Sequence, residues 1–247
     1  MLHVFYEENF PKQNSNHFRD LFKDLYGGYY IPVDGKYKHD SDYLHNKLKH
    51  YNKKPEQLFL DIASKIEKDI FGGCLYIETH LNKINKNAIV SINFHSKEYI
   101  KAIDDTPKFV KSLTNLVIYL KYEAKKGDIV KIYYPEHYLT PKNHVLIARY
   151  IALLSKYVTI LLITHSDFVL RELELMIVLS NRKLKKYDYL REYSLKHEEV
   201  KASIYEDGKY VDVRVDVAGF QIDSIGDVIT KQNMMGTELY CSSEDEE

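Results

Sequence analysis

The sequence predicts an α/β fold in which parallel strands flanked by helices form the core, with an antiparallel hairpin near the C-terminus. Three observations predict it. Residues 158–163, VTILLI, are apolar on both faces, as a strand buried inside a parallel sheet must be. Strand and helix patterns alternate over 128–177, which implies a crossover connection and a parallel pair of strands. VKASIYE at 200–206 and KYVDVRVDV at 209–217 flank Asp207-Gly208, a hairpin turn dipeptide.

Taken in order, residues 1–57 are polar and broken by turn signals, GGYY at 27–30 and VDGKYKHDSD at 33–42, and predict short helices joined by loops. Leu58, Ile62, Ile66 and Ile70 recur every four positions and predict a helix that Gly72 and Gly73 stop. CLYIET at 74–79 and AIVSINF at 88–94 predict two strands. Over 112–126, Leu113, Leu116, Val117, Leu120 and Ala124 share a face, which predicts a helix ended by Gly127 with Lys125 and Lys126 in its last turn. IVKIYY at 129–134 predicts a strand, and Thr140-Pro141 an N-cap and first-turn proline for a helix running to about Ser155. SDFVLRELELMI predicts a helix capped by Ser166 or Asp167, and SIGDVITKQNMM a final helix. The chain thus divides into an N-terminal polar segment (1–57), one α/β domain (58–240) and an acidic tail (241–247).

Composition narrows the class. Of 247 residues, 45% are hydrophobic and 29% charged, the profile of an ordinary globular protein rather than a disordered one. A net charge of −1 gives no bulk attraction to nucleic acid or anionic membrane, and direct nucleic-acid binding is not expected. Two cysteines, Cys74 and Cys241, form no disulfide framework and point to a reducing cytoplasm. The N-terminus MLHVFYEENF lacks the basic and apolar regions of a signal peptide, and no run approaches the roughly 18 apolar residues that span a bilayer.

TPKFVKSLTNLVIYLKYEAKKGDIVKIYYPEHYLTP, followed by ILLITHSDFVLRELELMIVLSNR, resembles the distal half of an ABC-type ATPase head of the AAA family, close to the OLD and Smc-like proteins. Members of that group read as a signature segment, a helix, a strand ending in Asp-Glu-Pro-Glu, a helix opened by Leu-x-Pro, and a strand ending in Thr-His-Ser. The resemblance covers roughly 58–240 and is specific over 106–180. It implies an ABC-head-like fold, and its departures imply a degenerate site. A P-loop needs glycine amides close to the phosphates and a lysine to neutralise them; GGYYIPVDGKY at 27–37 has the wrong spacing, and no other stretch fits. The family's magnesium-binding Asp and catalytic Glu fall on Tyr133 and Tyr134, whose phenols are neutral at pH 7. Signature positions fall on Pro107 and Lys108, with Lys111 and Ser112 retained. Pro135, Glu136 and the His165-Ser166-Asp167 corner survive. In the family a histidine at His165 contacts the γ-phosphate; read from the residues alone, His165 is a polar group at a helix N-terminus, and Glu136 pairs with a base or caps a turn.

Other constellations have plainer readings. His39, Asp40, Asp42, His45 and His50 suit a divalent ion by type, yet the spacing of His45 and His50 places them on different helix faces. His80 and His95 are single residues near strand ends. Asp212 and Asp216 invite a metal-nuclease reading, but the alternation Val211, Val213, Val215, Val217 points the valines inward and the acids out. RKLKKYDYLR at 182–191 mixes basic residues with tyrosine, and Glu192, Glu198 and Glu199 dilute it. No Ser-His-Asp or Cys-His arrangement is signalled.

The expectation is a pseudo-ATPase with no catalytic residue, no metal and no cofactor, ATP and Mg²⁺ not being expected to bind. Lys108, Lys111, Ser112, Tyr133, Tyr134, Glu136, His165 and Ser166 form a vestigial nucleotide face available to a protein partner. That partner is another ABC-type ATPase subunit or an associated nuclease, met as a homo- or heterodimer, in phage defence or counter-defence. Two alternatives stand beside it: an ATPase subunit acting with a second chain in defence or DNA repair, and a metal-dependent nuclease.

Overall fold

The computed structural model describes residues 1–7, 29–31, 56–81, 88–182, 184–206 and 209–222. The histidine and aspartate cluster at 39–50, the side chain of His80, the Asp207-Gly208 turn, the final helix, Cys241 and the acidic tail lie outside the described residues.

A six-stranded sheet organises the chain, in the order β2-β6-β7-β1-β8-β9. Its strands are β1 (Leu2–Tyr6), β2 (Tyr29–Ile31), β6 (Ile129–Tyr133), β7 (Thr159–Thr164), β8 (Val200–Glu206) and β9 (Lys209–Val213). All pair in parallel except β9, which returns antiparallel along β8. The parallel core and the hairpin are as the sequence predicts. The N-terminal segment is not: Leu2–Tyr6, expected among helices and loops, is the central strand, flanked by β7 and β8. A smaller antiparallel sheet contains β3 (Gly73–Leu81), β4 (Ala88–Ser96) and β5 (Ile100–Ala102), and β10 (Val215–Asp216) pairs with β11 (Gly219–Phe220).

Register assigns the faces. Leu2, Val4, Val130, Ile132, Ile160, Leu162, Ala202 and Ile204 align across the parallel strands. They join one buried core with helices α1 (Gln57–Ile66), α2 (Lys108–Tyr122), α3 (Pro141–Leu154) and α4 (Asp167–Asn181). Burying each large aliphatic side chain stabilises the fold by about 1.5–3 kcal/mol. The opposite face carries Phe5, Leu161 and Ile163, packed with Tyr133, Tyr134 and Tyr210.

Helix ends follow local chemistry. α1 widens into a π-helical turn at Glu67–Phe71 and stops at Gly72, whose φ of 67° is the left-handed cap glycine accepts most readily. α2 starts at Lys108, earlier than the apolar spacing predicts, and ends at Tyr122. Lys125 and Lys126 therefore lie beyond it, where the Asp128 carboxylate accepts from the Lys125 amide at 3.0 Å. α3 begins at Pro141 as predicted, although the Thr140 hydroxyl makes no capping bond.

Candidate functional site at the carboxyl ends of the parallel strands

Because β1, β6 and β7 run in parallel, the residues that follow them meet at one edge of the sheet. The chain leaves β1 toward the β2 edge, whereas β7 leads across β1 to β8. Such a reversal opens a crevice beyond the carboxyl ends of the strands, where open α/β sheets bind ligands.

At that edge the protein's own side chains bond to one another across the strand ends. Glu7, only 1% exposed, follows β1. Its Oε2 accepts the Tyr134 phenol at 2.6 Å, and its Oε1 accepts the Tyr210 phenol from β9. Burial first, then the bond to Glu7, pushes both phenols far above the ordinary tyrosine range, so they stay neutral donors. Tyr6 donates from the end of β1 to the Asp167 carboxylate in the first turn of α4. Tyr134 holds a φ of 47° and Tyr138 one of 64°, left-handed conformations that cost a non-glycine residue on the order of 1–2 kcal/mol.

The second centre is Glu136, 2% exposed. Its Oε1 accepts from Thr164 Oγ1 at 2.8 Å and from the His165 amide at 3.0 Å, and His165 Nδ1 lies 3.4 Å away. Its Oε2 is buried and takes no hydrogen bond. Desolvation raises the Glu136 pKa and lowers those of His137 and His165; their mutual repulsion lowers His137 further, while Glu7 and Asp167 partly restore His165. The rings pack closely: Tyr134 lies 5.5 Å from His137 and 5.2 Å from His165, and the two imidazoles are 5.4 Å apart.

The structure therefore gathers Tyr134, Glu136 and His165 at one corner, with Lys108 reaching it through a cation–π contact to Tyr138 at 5.3 Å. Tyr133 packs on the face opposite the helices. Lys111 and Ser112 do not join them: Lys111 donates to the Asp104 carbonyl, and buried Ser112 to the Phe109 carbonyl at 2.9 Å. Ser166 caps α4, accepting from the Val169 amide at 3.3 Å, and meets His144 Nδ1 at 2.8 Å. The cap is thus Ser166, while His165 faces Glu136. Sequence reading missed Tyr6, Glu7, His137 and Tyr210. Each is remote in sequence from its partner except His137, which stands inside the YYPEHY corner as the signal available.

The candidate nuclease acids are separated. Asp212 Oδ1 accepts from Ser203 Oγ at 2.9 Å, and His3 Nε2 approaches that hydroxyl at 3.0 Å. In this chain serine donates to the acid, not to the imidazole, so Ser203 is not poised as a nucleophile. Asp216 instead takes the Ala218 amide at 2.8 Å. Val211 and Val217 are exposed, so the expected inward row of valines is only partly formed. Among the described residues no group of three or more His, Cys, Asp or Glu side chains could hold a metal ion, and no helix is long and apolar enough to cross a membrane.

No protein-family model matches this sequence, and no curated protein matches it. The structure is similar to solved SMC heads. One is a Smc head bound to the C-terminal winged-helix domain of ScpA, with a TM-score of 0.41 and 17% identity over 66% of this chain and 43% of that one. Another is an SMC ATPase studied for ATP-driven dimerization, with a TM-score of 0.40 and 14% identity over 72% of this chain and 94% of that one. A third, from Pyrococcus furiosus, is a Smc head with an extended coiled coil bound to the C-terminal domain of ScpA; its TM-score is 0.38, with 14% identity over 72% of this chain and 37% of that one. The match spans less than half the length of the first and third chains, and these likenesses assign no residue a role.

Proposed function

We propose that this chain is a non-catalytic, ATPase-like protein that regulates, completes or blocks an ABC-type ATPase or its effector, in phage defence or counter-defence. One observation carries the reading. The strand-end positions matched to the magnesium-binding and catalytic carboxylates hold Tyr133 and Tyr134, and the Tyr134 phenol is tied to buried Glu7. Phosphoryl transfer depends on a metal-held phosphate and an oriented nucleophile. A neutral phenol supplies neither the charge nor the base, and a buried carboxylate at the carboxyl edge repels a phosphate.

A protein partner fits the surface around this closed crevice. Tyr138 and Phe168 are 54% and 52% exposed. The His144 ring lies 6.0 Å from Phe168, and its Nε2 is 3.2 Å from the carbonyl of Leu139, the residue after Tyr138. Exposed aromatic side chains on a rigid corner are the anchors that protein interfaces favour.

Affinity purification of the tagged chain from its native context tests the reading. An ABC-type ATPase subunit or an associated nuclease is expected to co-purify, and the double change Tyr138→Asp, Phe168→Asp to abolish the capture. Recovery of no such partner, or capture that the double variant leaves intact, overturns it.

A further inference from the structure

We propose that the turn at residues 184–189, which follows α4, is a binding surface for single-stranded nucleic acid, an inference independent of the closed crevice. Arg182 precedes it, Lys185, Lys186, Tyr187 and Tyr189 crowd into it, and in sequence the acids that follow dilute it. In the fold the two nearest acids are held by cations. Asp188 Oδ1 pairs with Arg191 Nε at 2.6 Å, and Glu192 Oε2 with Lys65 Nζ at 2.5 Å. Glu198 lies 3.5 Å from His197, and Glu199 4.0 Å from Lys196. Arg182, Lys185 and Lys186 enter no ion pair among the described residues.

The same turn presents rings. Every residue from Leu184 to Tyr189 is exposed, Tyr189 to 69%. Lys186 Nζ lies 5.5 Å from the centre of the Tyr187 ring, a cation held beside an aromatic face. Buried Leu190 and the bond from the Leu195 amide to the Met176 carbonyl at 3.1 Å fasten the turn to α4. Rings stack on bases while the adjacent cations take the phosphates. A duplex hides its base faces, and an acidic protein segment has none, so a single strand is the polyanion that uses both features.

Fluorescence anisotropy on the full chain with a labelled oligothymidylate of about 20 nucleotides tests this. The double change Lys185→Glu, Lys186→Glu is expected to lower the slope of log affinity against log salt by about 1.4, the loss of two single-strand phosphate contacts. Tyr189→Ala is expected to weaken binding about 5- to 150-fold, the range for one stacked base, while Tyr189→Phe retains it. All three changes lie at exposed positions, and matching thermal melts confirm that the fold is intact. Absence of binding, equal affinity for a duplex, insensitivity to Tyr189→Ala, or equal competition by polyglutamate overturns the proposal.

Discussion

Tyr134 donates its phenolic hydrogen to Glu7 Oε2 at 2.6 Å, joining the corner after β6 to the exit of β1. Tyr210 engages the other oxygen from β9, so three distant segments meet on one buried carboxylate. Removing either phenol by Tyr134→Phe or Tyr210→Phe is expected to destabilise the fold by about 1.5–3 kcal/mol, the range for a hydrogen bond to a charged group. The double variant is expected to lose more than the sum, because Glu7 is then left without either donor. Urea denaturation of the four proteins measures this; strict additivity would contradict the shared-carboxylate account.

Leu2 is fully buried in the central strand. Leu2→Ala is expected to cost about 2–5 kcal/mol, the range for large-to-small changes in a core. A loss below about 0.5 kcal/mol, typical of surface sites, would place the N-terminus outside the core.

Ser166 both caps α4 and meets His144. Ser166→Ala is expected to cost about 0.5–2 kcal/mol, and Ser166→Asp to restore most of the cap. Thermal unfolding of the pair checks it, and equal losses in both variants would shift the role from capping to the His144 contact.

Burial holds the Glu136 pKa above its ordinary value. The folded state therefore binds the proton more tightly, and this stabilisation is complete below about 4.3 and lost as pH rises through the raised folded value. Glu136→Gln keeps an oxygen for Thr164 and His165 and removes that loss. The variant is expected to gain on the wild type as pH rises from about 4.3. His137 and His165, both lowered, destabilise the fold as pH falls below about 6.5, and they do so in both proteins. A pH-independent offset between the two urea midpoints would contradict the buried-acid account.

Much of this architecture is legible in the chain because its signals are local. VTILLI declares a buried strand, Thr140-Pro141 opens α3, and Gly72 closes α1 and its π-helical turn. LHVFY was missed because five residues are too short for a period, and its partners stand some 158 and 198 positions away, at Ile160 and Val200. The site divides in the same way. Glu136 and His165 are visible in two strand-end corners, whereas Glu7 and Tyr210 gain meaning only when β1 and β9 converge. Lys111 and Ser112 look equivalent to Lys108 in sequence, but helix phase turns them to local carbonyls.

Isothermal titration of ATP with Mg²⁺ into the purified chain tests the closed crevice most directly. The account predicts no heat of binding, with Tyr134 and Tyr210 both held by Glu7 at this strand edge. Saturable binding with a dissociation constant of about 1 μM, a free energy near −8 kcal/mol, would contradict it and show an open phosphate site beside His165.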